Sequence, residues 1–446
     1  MNQEEQSTFN RTFWRFLLSS ILIALSGCLG NVVDAIIVGN LIGEDGVSAI
    51  NLTKPIIQLM FTLNMFLATG AGMLVGIELG RKNHQGAAGF YSLSMAATLA
   101  VGLLFTASGL LIPDVVTSWI CTDQHLFQPT LDYLRVILIG APVYLLMWAL
   151  TTMAGVDGSP RLASFAILID NAVNLSLDIV FIRWLGWGIE GSSAATVVGH
   201  IVGIAIMCRH FHYKENHLRL TSLASNHLPL FSSLGKIISQ GAPLAIAVGC
   251  LGLLFFATNN SVATVGGSVS LFALAVCMNL LQIYNLFLAG IARTIQALGS
   301  IEVGRGDNEA FRLVLRKSFN FITIAMSVTC LIVWIVPEFI ARLFGAEGDA
   351  TVSETVRALR PFSLSIMLWC YIDALITVYK LYNYHGMALF ISFALSLTVI
   401  PVLWLISRYS PGLLWYSYLI AYAIEVIAIV ALHKMTHVKF ELKPAG

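Results

Sequence analysis

The chain has 446 residues, 57% of them hydrophobic and only 11% charged, with a formal net charge of +1. A soluble protein carries about a quarter charged residues, so water alone cannot solvate this surface and lipid must cover much of it. The near-neutral balance, with no basic tail, excludes nucleic acid as a partner, and the seven cysteines show no CxxC or other metal-ligand spacing.

The polar start, Met1 to Arg15, leads into an apolar stretch that runs to Gly39. That stretch is longer than a signal-peptide core of roughly 7–15 residues, and no A-x-A cleavage pattern closes it. It reads as a first membrane helix, retained in the mature chain. Further apolar windows follow at 50–76, 88–112, 130–153, 161–183 and 188–210, then at 235–258, 266–294, 317–337, 356–379, 385–407 and 412–433. Together they predict an all-α integral membrane protein of about twelve transmembrane helices.

Lys and Arg gather on one side of these windows. Arg11, Arg15, Arg81, Lys82, Arg161, Arg209, Lys214, Arg316, Lys317, Lys380 and Lys434 all fall on the side of both termini. By the positive-inside bias both termini are cytoplasmic. The longest polar connection follows the sixth window and divides the chain into a first lobe over 1–212, a loop over 213–234 and a second lobe over 235–446.

The lobes share short motifs. Asn64-Met-Phe-Leu-Ala recurs as Asn285-Leu-Phe-Leu-Ala, and Ile77-Glu-Leu-Gly-Arg81 as Ile301-Glu-Val-Gly-Arg305, in the same order. Such recurrence marks an internal repeat. With six helices per lobe the second enters from the same side as the first, so the repeat is parallel, a pseudo-twofold about the membrane normal. A substrate cavity between lobes suits this plan. Glu78 and Glu302 stand at repeat-related cytoplasmic ends, where Arg81 and Arg305 offer them local ion pairs.

No Walker A sequence is present, so nucleotide hydrolysis cannot drive the protein. We expect no enzymatic activity and no cofactor, with an ion gradient as the energy source. Ionisable residues deep in the windows are the sharpest clue, since an acid at the bilayer centre costs about 2.5–3.5 kcal/mol on insertion scales. Asp34 lies about five residues, ~7 Å, from the outer end of the first window. In the fifth, Asp170, Asn174 and Asp178 are spaced i, i+4, i+8 and share one helical face. Thr196 in the sixth lies about 12 Å below the same surface.

Asp34, Asn174, Asp178 and Thr196 are therefore predicted to form a cation site in the outer half of the first lobe. Two neighbouring carboxylates can retain a proton, and carboxylate, amide and hydroxyl oxygens equally suit Na⁺. A static network packing the helices together is the competing reading. Asp170, Asp157, His200 and Asp373 are secondary candidates; His200 shares the face of Thr196 one turn on. Glu425 and Arg293 could pair with each other or line the cavity.

At these residues the chain resembles the multidrug and toxic compound extrusion (MATE) family. The resemblance rests on Asp34-Ala-Ile-Ile-Val-Gly39, Asp157-Gly-Ser-Pro-Arg161, Asn174-Leu-Ser-Leu-Asp178-Ile-Val-Phe-Ile, Ala194-Ala-Thr196, Gly241-Ala-Pro243 and Gly304-Arg305-Gly306. It implies a V-shaped, two-lobed antiporter in the plasma (inner) membrane. Such an antiporter exports amphipathic, often cationic drugs in exchange for H⁺ or Na⁺. Asn174, Asp178 and Thr196 match the cation site of its DinF-like branch, and Asp34 the acid of its first span. Family members often carry a proline about fifteen residues before that acid, where this chain has Ser19. The span-seven glutamate of the NorM-like branch is missing between Ala245 and Phe256, although Asp373 resembles that branch's span-ten aspartate. The expected partners are drugs, the coupling ion and membrane lipid, and the expected state is a monomer. The rival readings are a lipid-linked precursor flippase of the same superfamily and a channel-like membrane protein.

Overall fold

The computed structural model describes residues 10–11, 13–15, 17–18, 21, 30, 32–209, 218–221, 229–305, 307–382 and 384–435. Among them there is no strand, and nine helices are long and apolar enough to cross a membrane, or ten if one bent pair counts as a single span. The fold is an all-helical membrane fold. Two of the windows read from sequence lie on one helix, and the first lies largely outside the described residues, which accounts for the difference from twelve.

The helices, in chain order, are α1 (Val32–Leu41), α2 (Glu44–Asn64), α3 (Gly70–Gly80), α4 (His84–Leu111), α5 (Pro113–Ile120), α6 (Gln124–Ile139), α7 (Ala141–Val156), α8 (Pro160–Asp178) and α9 (Gly188–Met207). They continue as α10 (Leu230–Arg305), α11 (Asn308–Ile335), α12 (Pro337–Leu343), α13 (Asp349–Leu381), α14 (His385–Leu397), α15 (Val399–Tyr409) and α16 (Ser417–Met435). The chain contacts define two compact units. One holds residues 37–260, the other residues 1–36 with 261–446.

Local sequence explains several boundaries in the unit of residues 37–260. Pro160 occupies the first turn of α8, where its missing N–H costs nothing. α6 and α7 form the bent pair, turning by 57° at Gly140. Pro142 in the first turn of α7 cannot continue the hydrogen-bond ladder back across that corner. α8 ends at Asp178 and passes into a π-helical turn, Ile179–Trp184. Gly186 and Gly188, both at positive φ, then reverse the chain into α9.

The core of this unit is built in patches between helices. Leu67, Ala71, Phe90, Tyr91 and Met153 bring α3, α4 and α7 together; Met60, Tyr133, Ile137, Leu145 and Ile189 join α2, α6, α7 and α9. A polar clasp adds to the second set. Asn51 Nδ2 on α2 donates to Asn259 Oδ1 on α10 at 3.0 Å, and Asn259 Nδ2 returns to the Asn51 carbonyl at 3.2 Å. Both amides are buried. The opening part of α10 is thereby fixed in the same unit as α2. Further on, Gly267 leaves helical geometry at φ 60, ψ −151, a conformation open to glycine and strained for other residues.

In the unit of residues 1–36 and 261–446, α13 is the central helix and packs against α11, α12, α14 and α16. Its Glu354 Oε1 accepts hydrogen bonds from Trp415 Nε1 at 2.8 Å and Ser270 Oγ at 3.2 Å, while Arg357 donates to Oε2 at 3.2 Å. One carboxylate thus ties α13 to α10 and to the 3₁₀ turn Pro411–Tyr416.

Candidate functional site

α8 and α9 run against each other along their length, and the polar face of α8 read from sequence lies in that seam. Asn174 Nδ2 donates to Thr196 Oγ1 at 3.2 Å, and Thr196 in turn donates to the Ser192 carbonyl at 3.2 Å. Both side chains are half-buried. One turn deeper along the same seam, His200 Nδ1 meets Asp170 Oδ2 at 2.7 Å, with the side chains 12% and 8% exposed. The Tyr144 ring from α7 stands edge-on to the imidazole, with centroids 4.6 Å apart. At the other end of the face, Asp178 is completely enclosed, immediately before the π-helical turn.

The seam is this close because α9 presents glycine to it. A Cβ on Gly199 would sit 2.6 Å from Asp170 Oδ1 and 2.9 Å from the Asp170 carbonyl oxygen. No ordinary side chain fits there without separating the helices. Small-residue contacts of this kind let membrane helices approach closely enough for their polar groups to bond.

The remaining predicted residues lie on other elements. Asp157, at the end of α7, is buried and accepts a 2.9 Å hydrogen bond from the Leu218 backbone N–H. It anchors the connection after α9, which is a structural task. Asp34 on α1 is half-buried and Asp373 is half-buried on α13; both belong to the unit of residues 1–36 and 261–446. The pairing of Glu78 with Arg81 is present at 3.1 Å, whereas the side chain of Arg305 lies outside the described residues.

The His200–Asp170 pair and its Tyr144 neighbour give the seam a second polar station. A carboxylate bonded to Nδ1 fixes the imidazole's orientation and tautomer and leaves Nε2 as the free nitrogen. Nε2 is buried and makes no hydrogen bond to a described residue. The i, i+4 spacing from Thr196 placed His200 on the right face, but Tyr144 had no signal in the sequence. Among the described residues no group of three or more His, Cys, Asp or Glu is arranged to hold a metal ion. The seam instead presents a mixed set of carboxylate, amide and hydroxyl groups, oxygen donors of the kind that suit hard cations.

A polytopic helical bundle with buried acids and a half-buried amide along one helix seam suits a membrane transporter. The MatE family pattern matches residues 20–180 and 243–431, one stretch in each half of the sequence, and the chain belongs to that family. It is 21% identical over 351 residues to the multidrug export protein MepA of Staphylococcus haemolyticus (strain JCSC1435), covering 79% of this chain and 77% of that protein. It is also 20% identical over 368 residues to the probable multidrug resistance protein YoeA of Bacillus subtilis (strain 168), covering 80% and 78%. The fold is similar to an inward-facing multidrug resistance MATE family transporter of the MOP superfamily, with a TM-score of 0.82 at 17% identity over 94% of this chain and 98% of that one.

Proposed function

We propose that this protein is a secondary antiporter that exports amphipathic or cationic small molecules in exchange for H⁺ or Na⁺ by alternating access. The observation that carries the reading is the α8–α9 seam, where Asp178 is fully enclosed and Asn174 is bonded to Thr196. Family membership and the export named for MepA support this direction of transport, and the multidrug resistance named for YoeA fits it.

In this reading Asp178 takes the coupling cation, with Asn174 and Thr196 supplying further oxygens, and Asp34 is a second coupling acid carried by the other unit. Asp170 and His200 form a secondary station on the same seam, and Asp373 a secondary acid in the other unit. Cation binding neutralises the buried acid, and the resulting loss of charge repulsion and desolvation cost favours a different packing of the helices. Coupling requires that cation and drug prefer different states, because equal affinity for both shifts nothing. The membrane potential adds about 2.3 kcal/mol per charge per 100 mV. The proposal includes two six-helix lobes acting as the moving parts. It also includes both termini in the cytoplasm of a cell with the protein in its plasma membrane, and function as a monomer.

The test is ethidium efflux from proteoliposomes under a pH gradient alone and then a Na⁺ gradient alone, in wild type, Asp34→Asn and Asp178→Asn. One gradient should drive efflux in wild type, and both variants should lose it at equal incorporation. Gradient-driven efflux in either variant at the wild-type rate would refute the coupling roles. Lipid scrambling or uncoupled current without drug-linked ion flux would replace antiport by a flippase or a channel.

A further inference from the structure

Glu425 lies midway along α16, in a stretch that spans the membrane, and is 3% exposed. Neither carboxyl oxygen has a hydrogen-bond partner among the described residues. It faces a cavity of about 140 Å³ between α14 and α16, whose walls include Phe390, Ala394, Thr398, Ile424 and Ala428. Thr398 is the one other polar residue in that lining. Phe390 and Ile424 are 58% and 48% exposed. The cavity is therefore an open apolar cleft with an acid at its base.

A carboxylate surrounded by hydrocarbon must carry a proton or meet a cation, because an isolated buried charge is prohibitively costly. Among the described residues no neighbouring helix supplies that cation. Tyr422, one turn earlier on α16, interacts with Glu425, Tyr418 and Cys370, and Cys370 in turn with Asp373 on α13; none of these groups is cationic. α14 carries no ionisable residue after His385, while His433 of α16 is engaged with the Tyr379 hydroxyl at 3.2 Å. Arg408, Tyr409 and Tyr416, on α15 and the 3₁₀ turn, stand at the far end of the span. The side chains of Arg293 and His385 lie outside the described residues.

The cavity has room for one small ring, since a cavity of about 150 Å³ lined by Leu, Ile and Phe holds one benzene molecule. We propose that Glu425 and the α14–α16 cleft bind a hydrophobic organic monocation through a single aromatic or alkylammonium end, in exchange for the carboxyl proton. The balance is one for one: the neutral acid releases H⁺ as the carboxylate pairs with the quaternary nitrogen, and the net charge inside the bundle does not change. This deepens the antiport reading above and rests on it for the biological sense of the exchange, but the binding event stands by itself.

The experiment is equilibrium binding of radiolabelled benzyltrimethylammonium to the full chain in lipid nanodiscs across a pH series. Neopentylbenzene, which has the same shape without the charge, is the competitor control. Wild-type affinity should rise with pH, approaching tenfold per unit where the proton competes, and neopentylbenzene should compete weakly. Glu425→Gln should weaken binding at least tenfold and flatten the pH dependence. Ala394→Leu, which fills the cavity and leaves the acid in place, should weaken binding by a similar factor. It also serves as the decisive variant if Glu425→Gln fails to yield monodisperse protein. Binding within twofold of wild type in either variant, or a pH slope that survives Glu425→Gln, would overturn the assignment. Efflux lost in Asp178→Asn while benzyltrimethylammonium binding stays pH-linked upholds both readings. Efflux retained there with binding intact removes the coupling role and leaves the Glu425 site.

Discussion

His200 and Asp170 face each other at 2.7 Å across the α8–α9 seam, on helices whose residues are thirty positions apart in the chain. Their contact depends on Gly199, directly before the histidine, which lets the Asp170 backbone approach. Three residues thus share one close contact. Asp170→Ala removes the acceptor and leaves a buried imidazole unpartnered, which should cost about 1–3 kcal/mol. Asp170→Asn keeps an acceptor oxygen and should cost less. Gly199→Ala should cost a comparable 1–3 kcal/mol through overpacking, and combining it with Asp170→Ala should be clearly less than additive. Unfolding in detergent, followed by denaturant titration, measures all four; full additivity would show that Gly199 packs for another reason.

A second prediction concerns the shallower station. Thr196→Val preserves shape and removes the hydroxyl that accepts from Asn174 Nδ2. If these oxygens help to hold the coupling cation, drug efflux should fall about tenfold, the rate equivalent of one hydrogen bond of roughly 1.4 kcal/mol, while the melting temperature changes little. Thr196→Ser should restore most of the rate. A variant in which stability drops and efflux per folded molecule is unchanged would assign the pair to packing.

The Asn51–Asn259 clasp makes a third case. Two buried amides bonded to each other are costly to break singly, because the surviving partner keeps its desolvation penalty. Asn259→Leu should destabilise by about 2 kcal/mol. The double variant Asn51→Leu/Asn259→Leu should recover part of that loss, since no orphaned amide remains. Thermal unfolding of the single and double variants, compared as a cycle, reads the coupling directly.

Glu354 provides a fourth. Its Oε1 receives both the Trp415 indole N–H and the Ser270 hydroxyl. Trp415→Phe should cost more than Ser270→Ala, because the indole N–H makes the shorter bond and the ring is buried. We expect about 2–3 kcal/mol against about 1 kcal/mol. The reverse order in chemical denaturation would remove the carboxylate from its role as the tie between α10, α13 and the 3₁₀ turn.

Composition alone determined that the chain lies in a membrane, since so few charges cannot solvate a protein of this length. Hydrophobic run length located the spans, because crossing hydrocarbon requires an unbroken internally bonded helix. Helical periodicity placed Asp170, Asn174 and Asp178 on one face, and His200 on the face of Thr196, because spacing along a single helix is a local property. Which faces would meet was not local. The closeness of His200 to Asp170 depends on a glycine whose missing side chain matters only once α8 lies against it, and Tyr144 joins them from a third helix with no periodic relation to either. Asp157 shows the same limit from the other side: an acid between two spans, read as a secondary site candidate, holds the backbone N–H of Leu218. Glu425 was visible as an acid in an apolar run, but a cavity is a property of the space left between packed helices. Only the tertiary structure could show that this carboxyl faces one.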